Sequence, residues 1–309
     1  MIDSKNFDVI IIGGSYAGLS AALALGRALR NVLIIDSGAP CNRQTPHSHN
    51  FLTQDGEQPA VIAKKAKTQV LKYSTVTFMN GLAVSGRQTG NPSTGQAGDF
   101  AITTQTGEIF EAKQLILATG VKDIMPNIKG FPECWGISVI HCPYCHGYEV
   151  RDERTGILAN GDIAFHYAQL ILNWTTDLTI FTNGKSTLTP EQHDKIISHN
   201  IPIIEKEIAC LEHQNGRVQQ VVFKDSSTFE LKAIYSRPGF EQHCSIPGML
   251  GCELTEQGLI KTDMFQQTTV AGVFACGDNA SPMRSVANAV ATGNMAGAVA
   301  NNQLTEALF

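Results

Sequence analysis

In the stretch HCPYCHGYE, His141 to Glu149, two cysteines three positions apart enclose a proline and a tyrosine, and a histidine stands on either side. Three chemistries use that spacing. A Cys-x-x-Cys pair at the start of a helix sets one sulfur beside unpaired backbone N–H groups, which lowers a thiol from about 8.5 towards neutrality and suits it to redox exchange. The same pair with a flanking histidine is part of a tetrahedral zinc set. Two buried thiols with no reaction to perform are a third reading, since free cysteine is common in cores. No second Cys-x-x-Cys and no spaced Cys and His pair completes a metal set in this chain, which weighs for redox and against zinc. His146 is a candidate acid and base, because imidazole titrates near neutrality and a leaving thiol needs a proton. His141 has less support, and the bland reading of either ring is a hydrogen-bonded structural side chain.

Such a pair has to be held by larger elements, and the chain supplies them twice. Residues 7 to 36 read as strand FDVIII, turn GGSYAG, helix LSAALALGRALR and strand NVLIID, half of a nucleotide-binding βαβ fold. Gly13 and Gly18 fit the dinucleotide fingerprint, with Ser15 at the usual second glycine. That chemistry needs a tight turn, backbone N–H groups close to a pyrophosphate, and a helix N-terminus aimed at its charge. Asp36 closes the second strand, where a carboxylate accepts hydrogen bonds from ribose hydroxyls. A generic turn with a surface aspartate is the plainer alternative; the strand before, the helix after and the spacing of the acid favour a nucleotide.

Further along, APCNRQTPHSHNFLTQDG, near 40–56, reads as a long surface connection, 57–72 as a helix, FAITTQ as a short strand and GNPSTGQAGD as a flexible hairpin loop. KQLILATG, 113–120, reads as a buried strand breaking at glycine. TGILANGDIAFHYAQLILNW and DLTIFTNG then repeat the order of residues 7 to 36. GVFACGDNASPMRSVANAVATGNMAGAVANNQL adds a strand, an acidic turn and a small-residue helix. If that helix packs on the first fold, the second is an insertion covering roughly 121–241.

The chain has 309 residues, enough for about two domains at roughly 150 residues each. Its 43% hydrophobic and 17% charged residues are those of a soluble globular protein. No run of about 18 apolar residues suggests a membrane span, and no secretory signal is visible, so the expected location is the cytoplasm. The net charge of −5 with scattered Lys and Arg argues against nucleic acid. Of eight cysteines, only Cys142 and Cys145 are spaced as a redox device.

The turn with Asp36, the ATG of 118–120, the CPYC pair, GVFACGD and PMRSVANAVATG stand in the order of the low-molecular-weight thioredoxin reductase family, which the chain resembles from about residue 7 to 300. The resemblance implies an α/β fold of two Rossmann-like, three-layer ββα nucleotide-binding domains, the second inserted in the first. Residues 1–120 and 242–309 would form the FAD-binding domain, and 121–241 an NAD(P)H-binding-like domain carrying the redox pair. FAD contacts are implied for Gly13, Ser15, Gly18, Asp36, Thr119, Gly120 and Gly277. Asp278 would meet the ribityl hydroxyls, and Arg284, Ser285 and Val286 would begin the helix facing the flavin, a suitable place for negative charge. Cys145 would be the sulfur beside the flavin and Cys142 the one that exchanges with substrate. A homodimer is also implied. The loop with His47, His49, Asn50 and Phe51 runs close to FAD in that family, and a solvated loop is an equal expectation. Cys276 reads as a packed small residue, and Leu308 and Phe309 end the chain on apolar side chains.

Within the family, CPYCHGYE and SHNFLTQDG are similar to the subgroup that contains dithiol oxidases of disulfide-bearing natural products. Thioredoxin reductases proper carry aspartate where His146 stands. The second turn, Ala159 to Ala164, fits GxGxxA with its first glycine replaced, and Asp162 would repel a pyrophosphate there. The following strand ends in Thr182, Asn183, Gly184 and a lone Lys185, without the family's arginine pair. The reading is an FAD-dependent dithiol/disulfide oxidoreductase with weak or no NADPH use, NADPH being left open. Its partner would be a thioredoxin-like protein or a small-molecule dithiol or disulfide. A dithiol oxidase using oxygen and a flavin-binding redox sensor without turnover are the alternatives.

Overall fold

The computed structural model describes residues 5–89 and 99–309. Most of GNPSTGQAGD, expected as a hairpin loop, lies outside the described residues. In chain order the elements are β1 (Asn6–Ile12), α1 (Tyr16–Arg27), β2 (Val32–Asp36), α2 (Pro59–Val70), β3 (Val76–Asn80), β4 (Ala83–Gln88), β5 (Phe100–Thr104), β6 (Ile109–Leu117), β7 (Val121–Ile124), α3 (Phe131–Cys134), β8 (Val139–Ile140), α4 (Pro143–His146), β9 (Thr155–Leu158), α5 (Gly161–Ile171), β10 (Leu178–Phe181), α6 (Pro190–Ser198), β11 (Ile203–Ile204), β12 (Ile208–Gln214), β13 (Arg217–Phe223), β14 (Thr228–Glu230), β15 (Ala233–Ser236), β16 (Gly239–Gln242), α7 (Ile246–Met249), β17 (Val273–Ala275) and α8 (Val286–Glu306). They gather into two compact units, one of 1–43, 51–122 and 240–309, the other of 44–50 and 123–239. β7 and β16, which lead out of and back into the first unit, pair with each other.

The first unit is built on a seven-stranded sheet in the order β3-β2-β1-β6-β5-β4, with β17 also on β6. Nine-residue β6 takes two partners along one edge: β5 antiparallel at Phe110 and Ala112, and β17 parallel at Leu115 to Leu117. β1 from Val9 to Ile12 and β2 from Val32 to Ile35 are continuously apolar because parallel strands are covered on both faces. Helices α1 and α8 cover one face, and small residues set their separation: a Cβ on Gly293 would stand 2.1 Å from the Ala17 carbonyl oxygen. Ser20 Oγ donates to Val290 O across the same seam. The small-residue helix thus packs on the first fold, as the insertion reading requires.

The second unit has a five-stranded parallel sheet, β11-β10-β9-β15-β8, beside the antiparallel meander β12-β13-β14. Two apolar clusters hold it. One joins Phe131, Trp135, Phe181 and Phe223; the other sets α5 through Ala164, Tyr167 and Ile171 on the sheet at Ile157 and Tyr235. Segment 44–50 packs with this unit: Gln44 Nε2 donates to Trp135 O, and Thr45 Oγ1 lies where a Cβ on Gly136 would meet it at 3.0 Å.

Candidate active site and the two nucleotide turns

Cys142 and Cys145 are joined as a disulfide with their Cα atoms 5.3 Å apart. Cys142 is the N-cap of α4, a single turn whose N1 residue is Pro143, a position where the missing N–H costs nothing. The N–H groups of Cys145 and His146 both point back to Cys142 O, at 3.2 Å each. Tyr167 Oη donates to His141 O at 2.9 Å and so ties the start of the motif to α5. Tyr144, exposed, meets the Trp174 ring edge-on at 5.6 Å. The pair therefore sits on a turn anchored from below by a buried tyrosine.

His146 closes α4 and is half-buried. Burial pushes its imidazole below the usual value, the charge of His49 adds to that, and Glu149 opposes both. The His49 and His146 rings lie edge to face with centroids 6.1 Å apart, and His49 Nε2 is 3.4 Å from Glu149 Oε1. The loop expected either near FAD or in solvent thus folds with the second unit over 44–50, and His49 keeps only 20% of its side chain exposed. Glu149 stands inside the motif that first drew attention, yet nothing local marks it, because its partner His49 is 100 residues away in sequence.

The first glycine turn has the shape its chemistry needs. Gly13 holds φ at +105°, and a Cβ on Gly18 would come within 1.9 Å of Gly13 O. Ser15 is the N-cap of α1 but makes no side-chain capping bond, and no acid stands in the first helical turn. The positive end of α1 is left open to an anion. Asp36 Oδ1 accepts from Gly14 N at 2.9 Å, which holds the carboxylate over the turn. A cavity of about 320 Å³ opens there, lined by Gly13, Ser15, Asp36, Lys67, Thr119 and Cys244 among others. These residues fit the pyrophosphate and ribose of FAD.

On the same C-terminal edge of the sheet, where β17 ends level with β6 and β1, Thr292 Oγ1 accepts from Gly277 N, and Arg284 Nε lies 3.6 Å from Asp278 Oδ2. Ser285 caps α8 by accepting from Asn288 N, and Val286 is its first residue, so Arg284 precedes the helix rather than beginning it. Gly120 takes φ of +64° after Thr119. Sequence reasoning missed Asn279, fully buried, whose Nδ2 donates to Leu117 O at 2.8 Å and to Thr119 Oγ1 at 3.3 Å, joining the two loops. An asparagine directly after the GD pair was the available signal. Cys276 is buried and its thiol is pushed up to about 12 by desolvation, in keeping with a packed residue.

The second turn is filled by the chain itself. Asn160 Oδ1 accepts from Gly161 N and Thr187 N at 2.9 Å each and from Thr187 Oγ1 at 3.1 Å, while its Nδ2 donates to Lys185 O. A side chain thereby caps α5, and the loop after β10 is tied across its N-terminus. Asp162 adds an acid to the first turn and accepts from Gln192 Nε2. Glu205 Oε1 accepts from Ser186 N, so the stretch after β10 faces a carboxylate. Among the described residues no three His, Cys, Asp or Glu side chains form a metal-binding group, and no helix is long and apolar enough to cross a membrane.

A family profile described as pyridine nucleotide-disulphide oxidoreductase matches residues 7–293. Among curated proteins, the chain is 34% identical to thioredoxin reductase sirT of Leptosphaeria maculans over 96% of its own length and 94% of that protein's. It is 32% identical to thioredoxin reductase tcpT of Claviceps purpurea, over 98% and 96%. Among solved structures, an oxidoreductase from Agrobacterium tumefaciens superposes with a TM-score of 0.89 at 39% identity, covering 97% of this chain and 99% of that one.

Proposed function

The chain belongs to the pyridine nucleotide-disulphide oxidoreductase family, and from that premise we propose that it interconverts a dithiol and a disulfide through Cys142 and Cys145 with little or no use of NADPH. It is a thioredoxin reductase-like flavin disulfide oxidoreductase with FAD as its cofactor. In the proposed arrangement, residues 1–120 and 242–309 hold FAD. The open N-terminus of α1 with Gly13, Ser15 and Gly18 takes the pyrophosphate, Asp36 the ribose, and Asp278 the ribityl hydroxyls. Thr119, Gly120 and Gly277 let the backbone approach, and Arg284, Ser285 and Val286 stand at the helix facing the flavin. FAD, when bound, supplies the two-electron acceptor that returns the reduced pair to a disulfide.

The chain's own part is thiol exchange. A substrate thiol gives its proton to His146 and attacks Cys142 Sγ; the Cys142–Cys145 bond breaks and Cys145 leaves as thiolate. The second substrate thiol gives its proton to solvent and attacks the substrate sulfur of the mixed disulfide, releasing an oxidised substrate and the Cys142 thiolate. Two electrons have then entered the pair. The partner is a thioredoxin-like protein or a small-molecule dithiol or disulfide, and the active form is a cytoplasmic homodimer.

The observation that carries the weak-NADPH reading is the closed turn of α5. Asn160 Oδ1 takes the N–H groups of Gly161 and Thr187 that a pyrophosphate would need, and Asp162 at the first turn of α5 and Glu205 beside Ser186 add negative charge there. The same closure favours a second reading, a dithiol oxidase whose net electron acceptor is oxygen. An anaerobic titration of the yellow protein tests the first, with NADPH and then dithiothreitol, followed at the flavin absorbance band. Dithiothreitol should bleach the flavin and stoichiometric NADPH should not; prompt bleaching by NADPH defeats the proposal. Oxygen uptake with dithiothreitol in excess tests the second.

A further inference from the structure

Beside the disulfide stands a set of ionisable groups that the exchange step does not yet use. We propose that His49 and its partner Glu149 are positioning residues that set the protonation of His146 in opposite directions, so that the acid and base of the thiol exchange is a three-residue cluster. The inference rests on the proposed role of His146 and goes further by assigning functions to two residues outside the cysteine turn.

Geometry carries it. His49 arrives on segment 44–50 and presents its ring to the His146 ring at 6.1 Å, while its Nε2 lies 3.4 Å from the Glu149 carboxylate. Glu149 sits in the 3₁₀ turn that follows α4, three residues after His146. His49 therefore comes from a distant segment and Glu149 from the turn after α4, and the two pair with each other where the His49 ring lies against His146, the residue next to Cys145. The other groups around the cluster are His47, whose ring is 6.5 Å from that of His49, and Tyr235, buried behind Glu149. Tyr235 Oη has no hydrogen-bond partner among the described residues, and burial together with the Glu149 charge holds that phenol protonated. Arg151 is turned away, its guanidinium lying on the Tyr148 ring and donating to Tyr148 O.

The two partners act on the pKa of the His146 imidazole in opposite directions, His49 lowering and Glu149 raising it. A cationic His49 favours neutral His146, the form that accepts a substrate proton; an anionic Glu149 favours the protonated form, which donates one to a leaving thiolate. Loss of either biases the exchange towards one direction.

The test is an NMR titration of the imidazole of His146 in the FAD-loaded protein, assigned by its absence in His146→Gln. The His146 midpoint should rise in His49→Gln, fall below wild type in His49→Lys, and fall again when Glu149→Gln is added to His49→Gln. Opposite movements at one position are what a merely structural histidine would not produce. Midpoints that coincide in all four proteins overturn the inference. Timed reduction of the pair by dithiothreitol, quenched with iodoacetamide and read by mass at Cys142 and Cys145, is measured on the same variants. His146→Gln should slow labelling at least tenfold; labelling at the wild-type rate in that variant defeats the underlying role of His146, whatever the titrations give. Slowed labelling in His146→Gln with unmoved midpoints in the His49 variants defeats only the cluster.

Discussion

At Gly18 an added methyl group would stand 1.9 Å from the Gly13 carbonyl oxygen, so Gly18→Ala must pry open the turn that faces the proposed pyrophosphate site. The expected outcome is a protein purified with less than a tenth of the wild-type flavin content, measured as the absorbance ratio of flavin to protein, and destabilised by overpacking of about 1–3 kcal/mol. His146 yields a pH prediction with a definite sign. Its imidazole is pushed below the usual value in the folded chain, so the unfolded chain binds more protons as pH falls below about 6.5, and stability declines there. His146→Gln should remove that contribution, so that urea midpoints of wild type and variant draw apart between pH 7 and pH 5, with the wild type losing more. Parallel pH curves would contradict the burial described for this ring.

Among the elements, α5 offers the sharpest comparison, because α1 performs the same architectural task with the opposite ending. α1 begins with Ser15, which makes no side-chain cap, whereas Asn160 caps α5 and holds the 185–187 loop. Removing that side chain in Asn160→Ala should cost about 0.5–2 kcal/mol, the usual worth of an N-cap, and lower the melting temperature by a few degrees. What was legible in the sequence follows the same division. The strand, turn and helix of residues 7 to 36 and their echo after 155 are announced by local period and glycine spacing, and both appear where those signals put them. The disulfide spacing was equally local. The Asn160 to Thr187 tie and the His49 to Glu149 pair were not legible, since each joins a side chain to a segment 27 or 100 residues away, and hydrophobic period carries no information about polar partners at such range. Asn279 was hidden for the same reason: its carbonyl partner lies on Leu117, at the end of β6.

For the molecule as a whole, ligands that bind the folded chain raise its apparent stability by mass action, by about 2.7 kcal/mol at a hundredfold excess over the dissociation constant. Added FAD should therefore raise the melting temperature of flavin-depleted protein measurably, and NADPH at millimolar concentration should leave it unchanged; a comparable rise with NADPH would show that the second fold still accepts a dinucleotide. The small passage of chain from Gln44 to Asn50 has a consequence for anyone who cuts this protein into parts. Its flanks at 43 and 51 belong to the first unit while it packs with the second, so the polypeptide passes from unit to unit four times, and the second unit is not one continuous stretch of gene. A fragment expressed from 123 to 239 would carry both cysteines and His146 but leave behind His49 and the side chain that bonds Trp135. Domain exchange between relatives would have to move two separate pieces of coding sequence together, or the redox turn would arrive in its new host without the imidazole that lies against His146.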